Sequence, residues 1–221
     1  MSSLLFEQGG GRPQRLLDVV ECSDVVAAAV ALEVAFGSEA SDKGRHGYAP
    51  LYGRLFSDLE IDKLFEVGLG TNDASIPSNM GAEGRPGASL RAFQSVFPQL
   101  SVVGADVDPS ALEGHAFPCL QLDQLDLASF PSTGSLGRID IVIDDGLHMP
   151  AANINTLAWA LGYSPAVQAI VIEDVPDSAL PVWDVVASLI APERRCGVFR
   201  GTTANCILIA SPEYIGSVTE N

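Results

Sequence analysis

Two apolar runs in this chain end in clustered carboxylates. Ile139-Asp140-Ile141-Val142-Ile143 leads into Asp144-Asp145-Gly146-Leu147-His148, and Ala169-Ile170-Val171-Ile172 leads into Glu173-Asp174. Buried strands that finish in acids bring those acids to one edge of a sheet, where hard oxygen donors suit a divalent cation. His148 follows Asp145 by three positions, and an imidazole, titrating near ~6.5, can accept a proton at neutral pH. No Lys or Arg neighbours these carboxylates in the sequence. Their mutual repulsion therefore calls for a metal or for a raised pKa. The plainer alternative is a turn or helix cap at Asp144-Asp145 and a solvated loop at Glu173-Asp174.

A second set of residues points to a cofactor. The run Lys63–Val67 ends in Glu66-Val67-Gly68-Leu69-Gly70-Thr71-Asn72. Glycines at a strand end allow a tight turn and close approach of a ligand to the backbone. A dinucleotide fingerprint would need a third glycine at position 73, which is Asp73, so nicotinamide and flavin cofactors are disfavoured. The next run, Leu100–Ala105, ends in Asp106, and an acid there can accept hydrogen bonds from both hydroxyls of a ribose. Glu66, Gly68, Gly70 and Asp106 together form a pattern common in S-adenosylmethionine sites.

These residues need a sheet to position them. Strands are expected at Lys63–Val67, Leu100–Ala105, Cys119–Leu122, Ile139–Ile143 and Ala169–Ile172, with a closing hairpin at Gly197–Arg200 and Cys206–Ala210. Helices are expected near 50–59, 89–97, 153–161 and 180–190. The alternation predicts an α/β fold with a mostly parallel sheet covered on both faces. Residues 1–12 read as a tail, and Pro13 suits the start of a helical region reaching Phe36, apolar on most faces and therefore buried on the domain or against a second subunit. Gly37–Gly47 reads as a polar loop. One structural unit follows, with residues 1–60 as tail, helical cap and covering segment and 61–221 as the cofactor-binding domain.

Composition narrows the class. The chain has 221 residues, 47% of them hydrophobic, enough for a single large core. Its net charge of -16 repels phosphate backbones and argues against a nucleic acid partner. Cys22, Cys119, Cys196 and Cys206 form no CxxC pair and read as reduced, mostly buried thiols. Val25–Phe36 is too short to span a bilayer and carries Glu33. A cytoplasmic protein without membrane contact is the expectation.

The chain resembles the class I S-adenosylmethionine-dependent methyltransferases. Within them it is similar to the metal-dependent sugar O-methyltransferases of the macrocin and mycinamicin type. Four motifs carry the resemblance. They are Ser41-Asp42-Lys43-Gly44-Arg45-His46-Gly47-Tyr48 with Tyr52 and Phe56; Phe65-Glu66-Val67-Gly68-Leu69-Gly70 with Gly87-Ala88-Ser89-Leu90-Arg91 and Phe97-Pro98; Asp144-Asp145-Gly146-Leu147-His148; and Val171-Ile172-Glu173-Asp174. The chain departs from the family at Leu147, where Ser is usual, and at Pro165-Ala166-Val167-Gln168, where Gly-Gly precedes the last acidic strand.

The resemblance implies a Rossmann-like seven-stranded sheet with an antiparallel last strand. It also implies magnesium on Asp145, Glu173 and Asp174, with manganese or calcium as substitutes, and His148 as base. Asp123 and Gln124 should lie near the adenine. The segment with Lys43, Tyr48 and Tyr52 should fold over cofactor and substrate. Asp144 stands at the cofactor or as a cap of its loop, and His46 as a substrate contact, a second acid/base or a loop stabiliser.

The expected activity is magnesium-dependent methyl transfer to a hydroxyl of a small molecule, such as a sugar of a natural product. A catechol-type methyltransferase and a non-catalytic binding protein for S-adenosylmethionine or a metal are the alternatives. A homo-oligomer is compatible with the apolar N-terminal helix.

Overall fold

Successive side chains of a strand point to opposite faces, so continuous apolar runs must be buried on both sides of one sheet. The computed structural model describes residues 18–20, 22 and 26–219. The tail expected over 1–12 and the helix start expected at Pro13 lie outside them. In chain order the elements are β1 (Asp18–Val20), α1 (Ala27–Glu39), α2 (Lys43–His46), α3 (Ala49–Asp58), β2 (Lys63–Val67), α4 (Ala88–Val96), β3 (Ser101–Asp106), β4 (Cys119–Gln121) and β5 (Ile141–Asp144). There follow α5 (Pro150–Tyr163), β6 (Ala169–Val175), α6 (Leu180–Ile190), β7 (Arg195–Arg200), β8 (Asn205–Ala210) and α7 (Pro212–Thr219). All the strands join one sheet in the order β1-β7-β8-β6-β5-β2-β3-β4. β8 runs antiparallel to β6 and β7, and every other pair is parallel.

The alternation divides the core. Leu64, Ile141, Ile143, Val171 and Leu208 pack on one face with Leu32 and Phe36 of α1, Leu55 of α3, Phe93 of α4 and Ile215 of α7. Phe65, Val142, Ile170, Ile172 and Ile207 pack on the other with Leu157 of α5 and Trp183 of α6. Pro150, lacking an N–H, opens α5 at a position where none is needed. The chain leaves β2 for β3 and β4 on one side, then returns to β5 and β6 on the other. This reversal opens a crevice beyond the carboxyl ends of β2 and β5, where α/β sheets bind ligands.

Four features differ from the sequence expectation. The sheet has an eighth strand, because Asp18–Val20 is extended and pairs with β7, where a helix was expected. The β-branched Val19 and Val20 favour that state, and the pairing covers what would be an open edge of β7. Residues 37–47 are not one loop: α1 continues to Glu39, and α2 follows with Lys43 buried. α1 buries one face only, with Leu32 inside and Val30 and Val34 exposed among the described residues. α7 was not anticipated at all.

α1 and α3 cross at near-backbone contact. A Cβ on Gly53 would lie 2.5 Å from the backbone nitrogen of Ala29. Gly53→Ala should therefore destabilise the protein by about 1–3 kcal/mol through overpacking. Gly37→Ala, in the same helix pair but with open space around it, should instead stabilise by about 0.5–1 kcal/mol. Denaturant midpoints of the two variants check this, and equal midpoints would contradict the close crossing.

Candidate active site

A lysine sits at the centre of the carboxylates that the sequence left unpartnered. Lys43 Nζ donates to Asp145 Oδ2 at 2.7 Å and to Glu173 Oε2 at 2.6 Å. It lies 3.0 Å from Glu66 Oε1 as an ion pair without hydrogen-bond alignment. Lys43 and Glu66 are fully buried and Glu173 nearly so, whereas the Asp145 side chain is 19% exposed. The expectation that no cation stands near these acids is thus corrected: the partner is distant in sequence and arrives on α2.

α2 is clamped by the turn between β7 and β8. Thr202 N donates to His46 O at 2.7 Å, and Thr202 Oγ1 donates to Arg45 O at 2.9 Å. Gly47 ends α2 at φ 74°, where a Cβ would meet Thr202 Oγ1 at 2.7 Å.

One ammonium cannot neutralise three carboxylates, and the titration of the cluster reflects the imbalance. Burial acts against the Lys43 charge, but Asp145, Glu173 and Glu66 outweigh it and raise the Lys43 pKa well above its ordinary value. Burial raises Glu173 far above the carboxylate range, opposed by Lys43 and reinforced by Asp145 and Glu66. Burial likewise raises Asp145, with Lys43 and His148 pulling it back.

A bulge in β6 decides what Glu173 and Asp174 can reach. Ile172 pairs with Ile207 and Val175 with Asn205, so two residues of β6 stand opposite one of β8. Ile172 and Val175 belong to the same side of the core, and the extra residue lets Asp174 join Glu173 on the other side. Asp174 adopts φ 53° to do so, and His148 facing it adopts φ 55°. Left-handed backbone costs a non-glycine residue of order 1–2 kcal/mol, and such strain gathers at functional sites.

Tyr52 donates its hydroxyl to Glu173 Oε1, and Tyr48 donates to Asp174 Oδ1 at 2.7 Å. Burial foremost, and the nearby carboxylates, raise the pKa of both tyrosines, so they remain protonated donors. Two imidazoles flank Asp174 Oδ2: His148 Nε2 at 3.8 Å and His46 Nε2 at 3.9 Å. His46 pairs through Nδ1 with Thr203 Oγ1 and stacks on Tyr48. His148 Nδ1 is buried without a hydrogen-bond partner. Asp145, His148 and Asp174 each offer a ligand atom within 4.8 Å of the others.

Two cavities open at the crevice. One, of about 330 Å³, is lined by Gly68, Gly70, Asp106, Asp123, Gln124 and Asp145 among others. The second, of about 210 Å³, is lined by Asp42, Gly68, Gly70, Asp145, His148 and Asp174 among others. Gly68, Gly70, Ser78 and Asp145 belong to both walls. Gly68 is required there: at φ 94°, its Cβ would fall 2.1 Å from Asp145 O.

The residues expected at the cofactor divide between the interior and the wall of the first cavity. Glu66, Tyr48 and Tyr52 are fully buried and line neither cavity; Glu66 Oε2 accepts from Ser89 Oγ at 2.7 Å while its other oxygen meets Lys43. Asp144 is fully buried and accepts from Gln124 Nε2 at 2.8 Å and Asn153 Nδ2 at 3.2 Å, which makes it a structural residue. Gln124 lines the first cavity, but its amide is committed to Asp144, Thr156 and the Leu147 N–H. Asp106 also lines the first cavity, and its oxygens hold the backbone N–H groups of Leu69, Gly70 and Asp108. Asp123 lines it as an exposed residue, with Oδ1 accepting from Leu125 N at 2.9 Å.

Sequence reasoning missed the segment 75–80, whose Ser75–Ser78 and Ser78–Met80 stretches line the two cavities. Only its Ser, Asn and Pro content, typical of a loop, signals it.

The raised carboxylates set a pH dependence of stability. A carboxyl whose folded pKa exceeds its unfolded value makes the folded state bind more protons, so stability falls as pH rises from the ordinary carboxylate pKa through the raised one. Between about pH 5 and pH 8 the melting temperature of the metal-free protein should fall. Glu173→Gln should flatten that profile. Lys43→Met should cost about 3–5 kcal/mol by leaving buried acids unpaired, with the loss growing toward high pH. Thermal melts across pH check all three, and a wild-type profile rising toward pH 8 would contradict the assignment.

No protein-family model matches the chain, and no curated protein matches it. Among solved structures, MycE methyltransferase from the mycinamycin biosynthetic pathway, in complex with Mg and SAH, superposes with a TM-score of 0.58 at 23% identity. That match covers 81% of this chain and 54% of MycE, so the chain spans about half of that protein's length. A second MycE structure, with Mg, SAH and mycinamycin VI, gives a TM-score of 0.49 at 27% identity over 65% of this chain and 37% of that one. The plantazolicin methyltransferase BpumL gives 0.49 at 11% identity over 83% and 97%. The chain thus has a Rossmann-like α/β fold shared with the MycE methyltransferase.

Proposed function

We propose that this protein is an S-adenosylmethionine-dependent O-methyltransferase, assisted by a divalent cation, that acts on a hydroxyl of a small molecule. The observation that carries the reading is the meeting of two cavities at Gly68, Gly70 and Asp145. The first cavity has the chemistry of a nucleoside site, with the carboxylates of Asp106 and Asp123 beside the apolar Val107, Leu122 and Leu125. The second gathers carboxylates and an imidazole, the groups that handle a hydroxyl and its proton. The two glycines at the shared wall leave room for a sulfonium between them.

The second cavity fits a divalent cation: the carboxylates of Asp145 and Asp174 stand within 4.8 Å of one another, with His148 beside them. A bound cation supplies Lewis acidity that lowers the pKa of an acceptor hydroxyl. The hydroxyl oxygen forms a bond to the methyl carbon of S-adenosylmethionine, and the carbon–sulfur bond breaks with its electron pair passing to sulfur. The hydroxyl proton passes to one of the imidazoles flanking Asp174, His148 or His46, each within 4 Å of its Oδ2. Tyr48 fixes Asp174 and Lys43 fixes Asp145, so both carboxylates are positioned in advance. The net charge of -16 favours a small acceptor over a nucleic acid. The motif resemblance points to a sugar hydroxyl of a natural product as the acceptor class.

The full-length chain should transfer the methyl of labelled S-adenosylmethionine to oxygen in a panel of sugar and catechol acceptors, with chelator abolishing the reaction and magnesium restoring it. Asp145→Asn should lose at least about 10²-fold in turnover, the scale of a lost positioning contact. Transfer that survives both chelator and Asp145→Asn would sink the metal-assisted reading.

A further inference from the structure

The second cavity is not polar throughout. Asp42, Asp145, His148 and Asp174 line it, and so do Leu69, Met80 and Ala88. The Leu69 side chain turns into the core, where it fills the space a Gly104 Cβ would take, and Ala88 is small. Among the described residues lining the cavity, Met80 is thus the one long apolar side chain left to it.

The chain makes room for this side chain at two glycines. A Cβ on Gly70 would overlap Met80 Cε and lie 2.7 Å from its sulfur. A Cβ on Gly84 would overlap Met80 Cγ and lie 2.5 Å from the sulfur. Gly70 is also required by its backbone, at φ 84°, but Gly84 is not among the left-handed glycines. The atoms nearest a Gly84 Cβ all belong to Met80, so its missing side chain serves to seat that residue. The backbone is pinned as well. Met80 N donates to Thr71 O at 2.9 Å, and Asn72 Nδ2 donates to Gly81 O at 2.5 Å and Gly84 O at 3.0 Å. The thioether is therefore held against Gly70, which belongs to the walls of both cavities.

We propose that Met80 determines acceptor specificity: its thioether is the apolar contact for the group next to the reacting hydroxyl and sets how large that group can be. This rests on the methyl-transfer reading above. The acids and imidazoles handle the hydroxyl, and Met80 reads its neighbour. Gly84 is a positioning residue that acts through Met80. A thioether is soft and unbranched, so it gives close contact to an apolar surface without a polar demand of its own. One methylene more or less in such a contact changes kcat/KM by about 10–200-fold, enough for a single side chain to select among acceptors that differ by a methyl group.

Each sugar or catechol that the full-length chain methylates is compared with analogues carrying one further methyl at successive ring positions. At one position Met80→Ala should raise the kcat/KM of the bulkier analogue relative to its parent by about tenfold or more. Met80→Leu, close in volume, should keep the wild-type ratio within about threefold. Gly84→Ala, which lines neither cavity, should move the ratio by at least about threefold by displacing Met80. A ratio of two substrates does not depend on how much of a variant is folded. A second readout needs no turnover. The chain holds three methionines, Met1, Met80 and Met149, so ¹³C-methyl methionine labelling gives few signals, and Met80→Leu assigns the one of interest. With S-adenosylhomocysteine and Mg²⁺ present, a panel acceptor that binds should shift the Met80 methyl resonance.

Ratios that Met80→Ala leaves unchanged at every ring position overturn the assignment, as does acceptor binding that leaves the Met80 methyl unmoved. Either result alongside intact methyl transfer sinks this inference alone. A Met80 signal that moves on acceptor binding, with no methyl transfer to any acceptor, sinks the functional reading alone. Binding of no acceptor in the panel overturns both.

Discussion

The Lys43 ammonium is the constraint around which the site is built. It joins four segments remote in sequence: α2 through its own backbone, β2 through Glu66, β5 through Asp145 and β6 through Glu173. Desolvating an ammonium and two or three carboxylates is costly, and the attraction between them repays the cost only when all are in place. The N-terminal helices therefore cannot dock loosely. They dock with Lys43 seated or leave uncompensated charge in the core. Such a cluster is weak evidence for net stability but a strong device for specifying one arrangement of α2 over the sheet.

Behind this cluster lies a second tier of acids whose oxygens are engaged by donors of the protein itself. Asp140, at the start of the β5 segment, accepts from the N–H groups of Asp62 and Lys63 and from Arg138. Asp144, at its far end, holds Gln124 and Asn153, and Gln124 in turn holds the Leu147 N–H. Asp106 pins the glycine turn after β2. The acids of this chain thus divide into those that tie loops to strand ends and those that stay open, chiefly Asp145, Asp174 and Asp123. After β5 the two kinds meet, since Asp144 Oδ1 accepts from the Gly146 N–H at 3.3 Å, one residue past Asp145.

Much of the fold was legible, and the reason is periodicity. The runs at β2, β3, β5, β6 and β8 are too apolar and too short to be anything but buried strands, and their acidic ends mark the sheet edge. Gly68 and Gly70 announced the turn because their conformation excludes other residues. The illegible parts depend on tertiary partners. Lys43 looks like one charge of a polar loop until the fold carries it to Glu66 and Glu173. Tyr48 and Tyr52 look like ligands for a cofactor until burial turns their hydroxyls toward β6. β1 could not be read at all, since three residues become a strand only when β7 offers an edge. Asp144 and Asp145 are identical in type and adjacent, and only the strand's pleat decides that one faces Gln124 and the other the crevice.

The bulge in β6 has a consequence for proton traffic. Glu173 and Asp174 are consecutive, yet one sits in the dry interior and the other borders solvent. A proton on Asp174 can exchange with bulk water at once. One on Glu173 must wait for the seal of Tyr52, Lys43 and α2 to open, a local unfolding event. The strand therefore separates two proton reservoirs by a single peptide bond. The interior is thereby insulated from the cleft one residue away.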